Sequence, residues 1–246
     1  PGAVTVAQLV GILLVVGSAA MVQRVSGFGF GLIVVPLLSL FIPPRDAVII
    51  ATLLAMATTL AQAWSERAAA DGPVANRLFL AACAGMPFGL IVFLVVSDSA
   101  LRVTVGVVVI AAAYLLGRGF ALSHGSRRDE YILGALSGVL NTSVSTNGPP
   151  LVFLLQARGY EPARFRGTIS RVFAMSNVVS LTLFLAAGKV TAGPAAAALA
   201  SVPVVIAAQW LGSRLVKHFH GERFRILVLV LLYASGAAAI VAAWTH

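Results

Sequence analysis

The sequence predicts an all-α polytopic membrane protein built from two inverted repeats, each a broken-helix hairpin followed by three transmembrane helices. The composition points to the membrane, with 59% hydrophobic and 10% charged residues, where a soluble domain carries about 25% charge. Long apolar runs match the roughly 20 helical residues that cross a hydrocarbon core of about 30 Å. Polar, glycine-rich interruptions break two of these runs at corresponding places, as in transporters with broken helices.

The chain divides into apolar segments that we interpret as membrane helices or half-helices. These segments are 3–23, 30–42, 47–64, 76–97, 101–117, 131–140, 149–157, 167–187, 193–213 and 224–244. The first could be taken for a signal peptide, but it lacks a positively charged start and aligns with the repeat. The arginine-rich stretch 117–130 separates a first membrane repeat, 1–120, from a second, 121–246.

The two halves resemble each other when they are aligned 119 residues apart. Eight identities fall within residues 26–56. They include residues at predicted helix ends, since Gly29 aligns with Gly148, Pro43 with Pro162 and Arg45 with Arg164. The alignment supports a duplicated unit that contains one interruption per copy.

The distribution of Lys and Arg predicts the orientation. If both broken segments are hairpins, loops 65–77, 118–130, 158–166 and 214–225 share one side and carry 12 cations, against three on the other side. The positive-inside rule places the richer side in the cytoplasm. Both termini are then periplasmic, and the three spans that follow each hairpin invert the second repeat. A single crossing by 131–157 would remove most of this bias.

The second interruption, 141–150, carries most of the candidate binding side chains. Pro149 and Pro150 suit the first turn of a new helix, and Asn147 and Ser145 suit its cap. The N-terminus of such a half-helix favours an anion. The candidate substrate-binding residues here are Asn141, Ser143, Ser145, Thr146, Asn147 and Gly148.

The first interruption offers mainly backbone. Its candidate residues are Ser26, Gly27 and Gly29, although small residues also simply allow helices to pack closely. Arg24 and Arg171 lie near or within apolar segments, so each is a candidate for binding the substrate, with snorkelling to an interface as the alternative. Asn177 is a further candidate substrate-binding residue, and we expect it to line the pore. Other polar residues of the spans, such as Gln23 and Gln62, are interpreted as contacts between helices.

The sequence lacks, within its predicted spans, the residues that several classes of function require. All eight acidic residues and all four histidines lie in loops or at span ends, which disfavours a cation pump, a carboxylate proton relay and an intramembrane hydrolase. There is no phosphate-binding loop, and a lone Cys83 cannot form a cysteine cluster. We therefore expect no enzyme, no cofactor and no metal. The net charge of +9 is explained by the loops rather than by nucleic-acid binding.

Both interruptions resemble those of the TauE/SafE family of membrane permeases, also called sulfite exporters. The resemblance rests on Gly27-Phe28-Gly29-Phe30-Gly31 with Pro36-Leu37-Leu38, on Asn147-Gly148-Pro149-Pro150, and on Arg164-Phe165-Arg166-Gly167-Thr168. It implies a multi-pass protein of the bacterial inner membrane. It also implies a small sulfur-containing anion as the substrate, such as sulfite, a sulfonate or thiosulfate.

The resulting hypothesis is a secondary transporter that exports sulfite or an organosulfonate by alternating access. Backbone N–H groups around Gly29 and Gly148 would hold the anion. The alternatives are an uptake permease for the same anions and a non-transporting membrane assembly factor. Apart from this anion and the lipid bilayer, no partner is predicted, and the sequence does not set the oligomeric state.

Overall fold

The computed structural model describes residues 6–118, 125–215 and 222–245, and this part of the chain is almost entirely helical. A short 3₁₀ turn, Arg67–Ala69, follows the third helix. The α-helices are α1 (Val6–Ser26), α2 (Phe30–Leu38), α3 (Pro44–Ser65), α4 (Gly72–Val95), α5 (Asp98–Gly117), α6 (Arg127–Val144), α7 (Gly148–Ala157), α8 (Pro162–Ala186), α9 (Ala192–Leu215) and α10 (Glu222–Thr245).

Six of the described helices, α1, α3, α4, α5, α8 and α9, are long and apolar enough to cross a membrane. The predicted all-α polytopic membrane fold is thus confirmed. The interrupted segments give two short helices, α2 and α7, of 9 and 10 residues. At about 1.5 Å per residue, each reaches only about halfway across a bilayer.

Several long helices begin with standard sequence signals. The Asp71 side chain accepts a hydrogen bond from the Val74 N–H at the start of α4, and Ser97 caps α5 in the same way. Ser126 and Asp129 form a capping box on α6. Prolines occupy the first position of α3 and α8, where the missing N–H costs no hydrogen bond.

The helix contacts pair the two halves in a reciprocal way. Helix α4 packs on α6 while α9 packs on α1, and α4 contacts α8 while α9 contacts α3. Helices α3 and α8 contact each other, as do α5 and α10. Helices in corresponding places also begin 118–120 residues apart, at residues 30 and 148, 44 and 162, and 72 and 192. The division into two repeats and their inversion stay predictions.

A buried carboxylate closes the base of the α6–α7 hairpin. Glu130 lies in the first turn of α6 with a fully buried side chain, and it forms ion pairs with Arg77 and Arg158. Arg158 follows α7 and also donates to the Gly125 carbonyl, with N···O distances of 3.1 and 2.9 Å. The start of α6 and the end of α7 therefore lie side by side, and the connecting tip lies deep in the protein.

A second polar cluster joins the α3–α4 connection to the start of α8. The Asp71 carboxylate accepts hydrogen bonds from Tyr160 at 2.7 Å and Arg164 at 2.6 Å. Arg166 pairs with Glu66 at 3.1 Å. Although partial burial raises the pKa of Asp71, the hydrogen bonds from Tyr160, the Val74 N–H and Arg164 outweigh it and hold that pKa below its usual value. These residues all belong to loops that were predicted to share one side.

The opposite end of the bundle has its own cluster. Arg45, at the start of α3, pairs with Asp98 and donates to the Phe93 carbonyl at 3.1 Å. Arg102 donates to the Ser39 carbonyl at 3.2 Å, just after α2. Helices α2 and α7 therefore end at opposite ends of the bundle, and their N-termini point toward its middle.

Candidate functional site

The two interruptions meet inside the bundle. Helix α2 lies so close to the second interruption that a Cβ on Gly31 would stand 1.9 Å from the Ser145 carbonyl oxygen. The ring of Phe28 lies against Gly148 at the start of α7, at an ordinary 3.5 Å from a Cβ placed there. Glycine at position 31 thus allows the two backbones to touch, and the starts of α2 and α7 come together.

Neither of these helix starts has a side-chain cap. Helix α2 follows Gly29, which has a φ of 98°, and α7 follows Asn147. Ser145, between α6 and α7, takes a φ of 52° that is unusual for a residue with a side chain. The first-turn N–H groups of a helix have no partner within it and carry partial positive charge. Two such ends on one spot make an environment suited to an anion.

A small cavity lies between the two starts. It has a volume of about 20 Å³, which is enough for one water molecule. Its walls come from the interruptions and from α1, α3 and α8. The lining residues are Gln23, Gly29, Phe30, Gly31, Leu32, Ala55, Thr59, Ser145, Thr146, Asn147, Gly148, Phe173 and Asn177. We call this space the central cavity.

Polar side chains in the central cavity have unused hydrogen-bonding capacity. Asn147 Nδ2 and Gln23 Oε1 are buried and have no protein partner among the described residues. Asn177 Nδ2 donates to Thr59 Oγ1 at 3.3 Å, and the Thr52 hydroxyl donates to Ser145 Oγ at 3.1 Å. Buried polar groups normally find partners, so the free groups indicate a place where a polar ligand can bind.

No described residue that lines the central cavity is acidic or basic. The available donors are the Asn147 amide, the hydroxyls and the free N–H groups of the helix starts. Within the described ranges, no group of His, Cys, Asp and Glu side chains could hold a metal ion. The chemistry of the cavity is therefore that of a neutral hydrogen-bonding site with a positive backbone potential.

Six predicted site residues line the central cavity: Gly29, Ser145, Thr146, Asn147, Gly148 and Asn177. Four others do not line it. The Ser26 hydroxyl donates to the Val22 and Phe28 carbonyls, and Gly27 packs against Arg166. Asn141 and Ser143 are buried on α6, where the Ser143 hydroxyl donates to the Val139 carbonyl at 2.7 Å.

The two predicted arginines do not line the central cavity. Arg24 lines a separate cavity of about 500 Å³ between α1, α3 and α9. Arg171 is exposed on α8 and donates to Asn76 Oδ1 at 3.3 Å. Helix rotation explains the first placement, because Arg24 follows Gln23 by about 100° around α1.

From the sequence, Gln23 and Thr52 are interpreted as contacts between helices, and Thr59 is not singled out. Gln23 and Thr59 line the central cavity, and Thr52 holds Ser145. One signal was available, since Gln23 stands one turn before the first interruption in an apolar helix. For Gly31 the sequence indicated only that small residues allow close packing, and the contact partner in the other half of the chain could not be predicted.

The long apolar helices and the buried meeting point of two broken segments define a multi-pass membrane protein of the transporter class. The family model described as "Sulfite exporter TauE/SafE" matches residues 12–239. The chain belongs to this family of membrane transporters, as the resemblance of both interruptions predicted.

Two curated relatives agree with this family. The chain is 28% identical to the "Probable sulfite/organosulfonate exporter TauE" of Cupriavidus necator, over 96% of each chain. It is 31% identical to the "Probable inner membrane transporter protein TsaS" of Comamonas testosteroni, over 50% of this chain and 55% of the relative. No solved structure gave a significant match.

Proposed function

We propose that this protein exports a small sulfur-containing oxyanion, sulfite or an organosulfonate, across the bacterial inner membrane as a secondary transporter. The observation that carries the proposal is the meeting of two uncapped half-helix N-termini on one buried cavity. The substrate class comes from the names of the family and of the Cupriavidus necator relative.

In the proposed complex, the first-turn N–H groups of α2 that follow Gly29 and the Gly148 N–H of α7 donate to the anion's oxygens, since Pro149 and Pro150 have no N–H. The Asn147 amide and the hydroxyls of Ser145 and Thr146 add further donors. Hydrogen bonds to a charged group contribute roughly 1.5–3 kcal/mol each. Backbone donors on fixed helix starts also need little rearrangement to bind.

The small volume of the central cavity fits a closed state of the transport cycle. A space of about 20 Å³ holds a water molecule, whereas sulfite is larger. We propose that the two repeats rock against each other and open the cavity to each side in turn. The contact between Gly31 and the Ser145 carbonyl is the surface on which the hairpins would move.

The predicted orientation gives the transport a driving force. The arginine-rich loops face the cytoplasm and both termini face the periplasm in this proposal. Moving one negative charge outward gains about 2.3 kcal/mol per 100 mV when the inside is negative. The described residues that line the central cavity include no carboxylate, so any proton that moves would travel on the substrate, as bisulfite; the alternative is that the membrane potential alone expels the anion.

The proposal is tested by anion flux from proteoliposomes loaded with sulfite. Replacing Asn147 by Ala removes a buried donor, and replacing Gly148 by Leu fills the space next to Phe28. We expect each variant to lower the initial rate at least tenfold. The matched control is Gly148→Ala, because a Cβ there meets only ordinary contacts. Wild-type flux in both Asn147→Ala and Gly148→Leu would refute the site.

The same vesicles separate export from the alternatives. Reversing the imposed potential reverses the flux if charge movement drives it. A purified chain that moves neither sulfite nor a small sulfonate in either direction, while it stays folded, would favour an assembly factor.

A further inference from the structure

A second, larger cavity lies beside the central one. It has a volume of about 500 Å³ and lies between α1, α3 and α9. We call it the Arg24 cavity. Its lining residues are Arg24, Leu54, Ala57, Thr58, Ala61, Gln62, Ser65, Val202, Val205, Ile206, Gln209, Trp210 and Ser213.

One end of the Arg24 cavity can bind a negative charge. Arg24 has no ion-pair partner among the described residues. Gln62 is 1% exposed, and neither its Oε1 nor its Nε2 has a hydrogen-bond partner in the described part of the chain. A guanidinium without an ion-pair partner and a buried amide without a partner, both lining one cavity, suit an anionic head group.

The remaining walls are mostly carbon. Leu54, Val205 and Ile206 line the cavity together with the ring of Trp210. A small inorganic oxyanion would fill only a fraction of this volume and would leave the apolar walls without contacts. A ligand that matches both parts has one anionic head and one apolar tail.

The Arg24 cavity and the central cavity are lined by neighbouring residues of α1 and α3. Arg24 and Thr58 line the Arg24 cavity, whereas Gln23 and Thr59 line the central cavity. Likewise, Leu54 lines the Arg24 cavity and Ala55 lines the central cavity. A ligand in the Arg24 cavity would therefore touch the helices of the central site without occupying it.

We propose that the Arg24 cavity is a second anion site, which binds an amphiphilic monoanion with its head on Arg24 and Gln62 and its tail along Leu54, Val205 and Ile206. The ligand is either a soluble alkyl sulfonate or an anionic lipid, since both present the same chemistry. This site does not rest on the proposed transport function, because its occupancy is measured without flux.

Trp210 reports occupancy directly. The sequence has three tryptophans, and of these Trp210 lines the Arg24 cavity whereas Trp64 and Trp244 do not. The full chain with Trp64→Phe and Trp244→Phe, in phosphatidylcholine nanodiscs, leaves Trp210 as the single reporter. We expect saturable fluorescence changes with octanesulfonate, and affinity that rises about two- to fourfold for each methylene from butane- to octanesulfonate. Octyltrimethylammonium, with the same tail and the opposite charge, should bind at least tenfold more weakly.

Variants test the role of the charge. Arg24→Gln should weaken octanesulfonate binding at least tenfold, while Arg24→Lys keeps the charge and should stay within about fivefold of wild type. The matched control is Arg171→Gln, an exposed arginine outside the cavity, which should not change the affinity. Equal binding by Arg24→Gln and wild type, or by octyltrimethylammonium and octanesulfonate, would overturn the proposal.

Lipid composition identifies the source of the ligand. If phosphatidylglycerol in the nanodiscs weakens octanesulfonate binding to wild type but not to Arg24→Gln, the natural occupant is an anionic lipid. If it has no effect, a soluble anion is the occupant. Absence of any Trp210 response to octanesulfonate and to phosphatidylglycerol would overturn the site in both forms.

Discussion

Both interruptions end a long helix and lead into a short one, but they differ in the residues that they contain. The first consists of glycines and phenylalanines, and its one hydroxyl, on Ser26, contacts its own backbone. The second brings Ser145, Thr146 and Asn147 to the central cavity. Both lead into an uncapped helix start. The first interruption thus supplies close approach and backbone donors, and the second supplies the side chains that can select a ligand.

The two hairpins also differ in how they are anchored. Glu130 and Arg158 close the base of the α6–α7 hairpin. Among the described residues of α1 and α2, no ion pair joins the two helices. The polar hairpin is therefore held by charges at its base, while the glycine-rich hairpin is held by packing. Variants in each region can test this division.

The largest effect is expected from Glu130→Gln, which removes the negative partner of two arginines at a fully buried site. Loss of one partner from a buried ion pair costs about 3–5 kcal/mol. We expect the free energy of unfolding in mixed micelles to fall by about that amount.

The control for Glu130→Gln is Glu161→Gln. Glu161 is exposed and its side chain does not cap α8, so the change should be within about 0.5 kcal/mol. Equal stability of the two variants would show that charges do not anchor the second hairpin.

The next effect concerns the close approach of the first interruption. Gly31→Ala forces a Cβ toward the Ser145 carbonyl, and overpacking of this kind costs about 1–3 kcal/mol. We expect lower stability and at least a tenfold lower transport rate. Gly148→Ala, a glycine change in the second interruption where a Cβ meets only ordinary contacts, should keep near-normal flux. Similar flux in both variants would remove the distinction between the two regions.

A smaller effect, on the apparent KM, should distinguish Ser145 from Ser26, which lie 119 residues apart in the two aligned halves. Ser145→Ala removes a hydroxyl that lines the central cavity and accepts from Thr52. We expect the apparent KM for sulfite to rise about tenfold, which corresponds to about 1.4 kcal/mol. Ser26→Ala removes only local contacts and should change KM less than threefold. The reverse order would place the selective chemistry in the first interruption.

The smallest effect is a pH dependence at the start of α8, against which the first interruption packs through Phe28 and Phe165. The lowered pKa of Asp71 means that its charge stabilises the fold above the usual Asp pKa. This contribution is lost as the pH falls through the folded-state pKa.

The variant Asp71→Asn keeps a good helix cap and removes the charge. The stability difference between wild type and variant should be about 0.2–1 kcal/mol at pH 6, because Arg164 is largely exposed. It should shrink as the pH approaches 3, as followed by tryptophan fluorescence. A difference that grows toward low pH would contradict the assigned sign.

The sequence was enough to locate the interruptions, because breaks in apolar runs must be buried in protein or face a cavity. It also anticipated that Asn147 and Gly148 lie at the start of a half-helix. The sequence could not predict that Gln23 and Arg24 line different cavities, since only helix rotation and the position of α9 decide which cavity each one lines. Arg171 was equally ambiguous, because an arginine in an apolar segment can reach polar groups at the surface, as it does with Asn76.

The neighbouring linings of the two cavities have a kinetic consequence. Thr58 and Thr59 are adjacent on α3 and line different cavities, so α3 cannot shift for one without shifting for the other. An amphiphile bound beside Arg24, as proposed, would hold α3 in place and slow the opening and closing steps without occupying the place of a small substrate. Inhibition by such a compound would be noncompetitive, with a lower maximal rate and a constant KM.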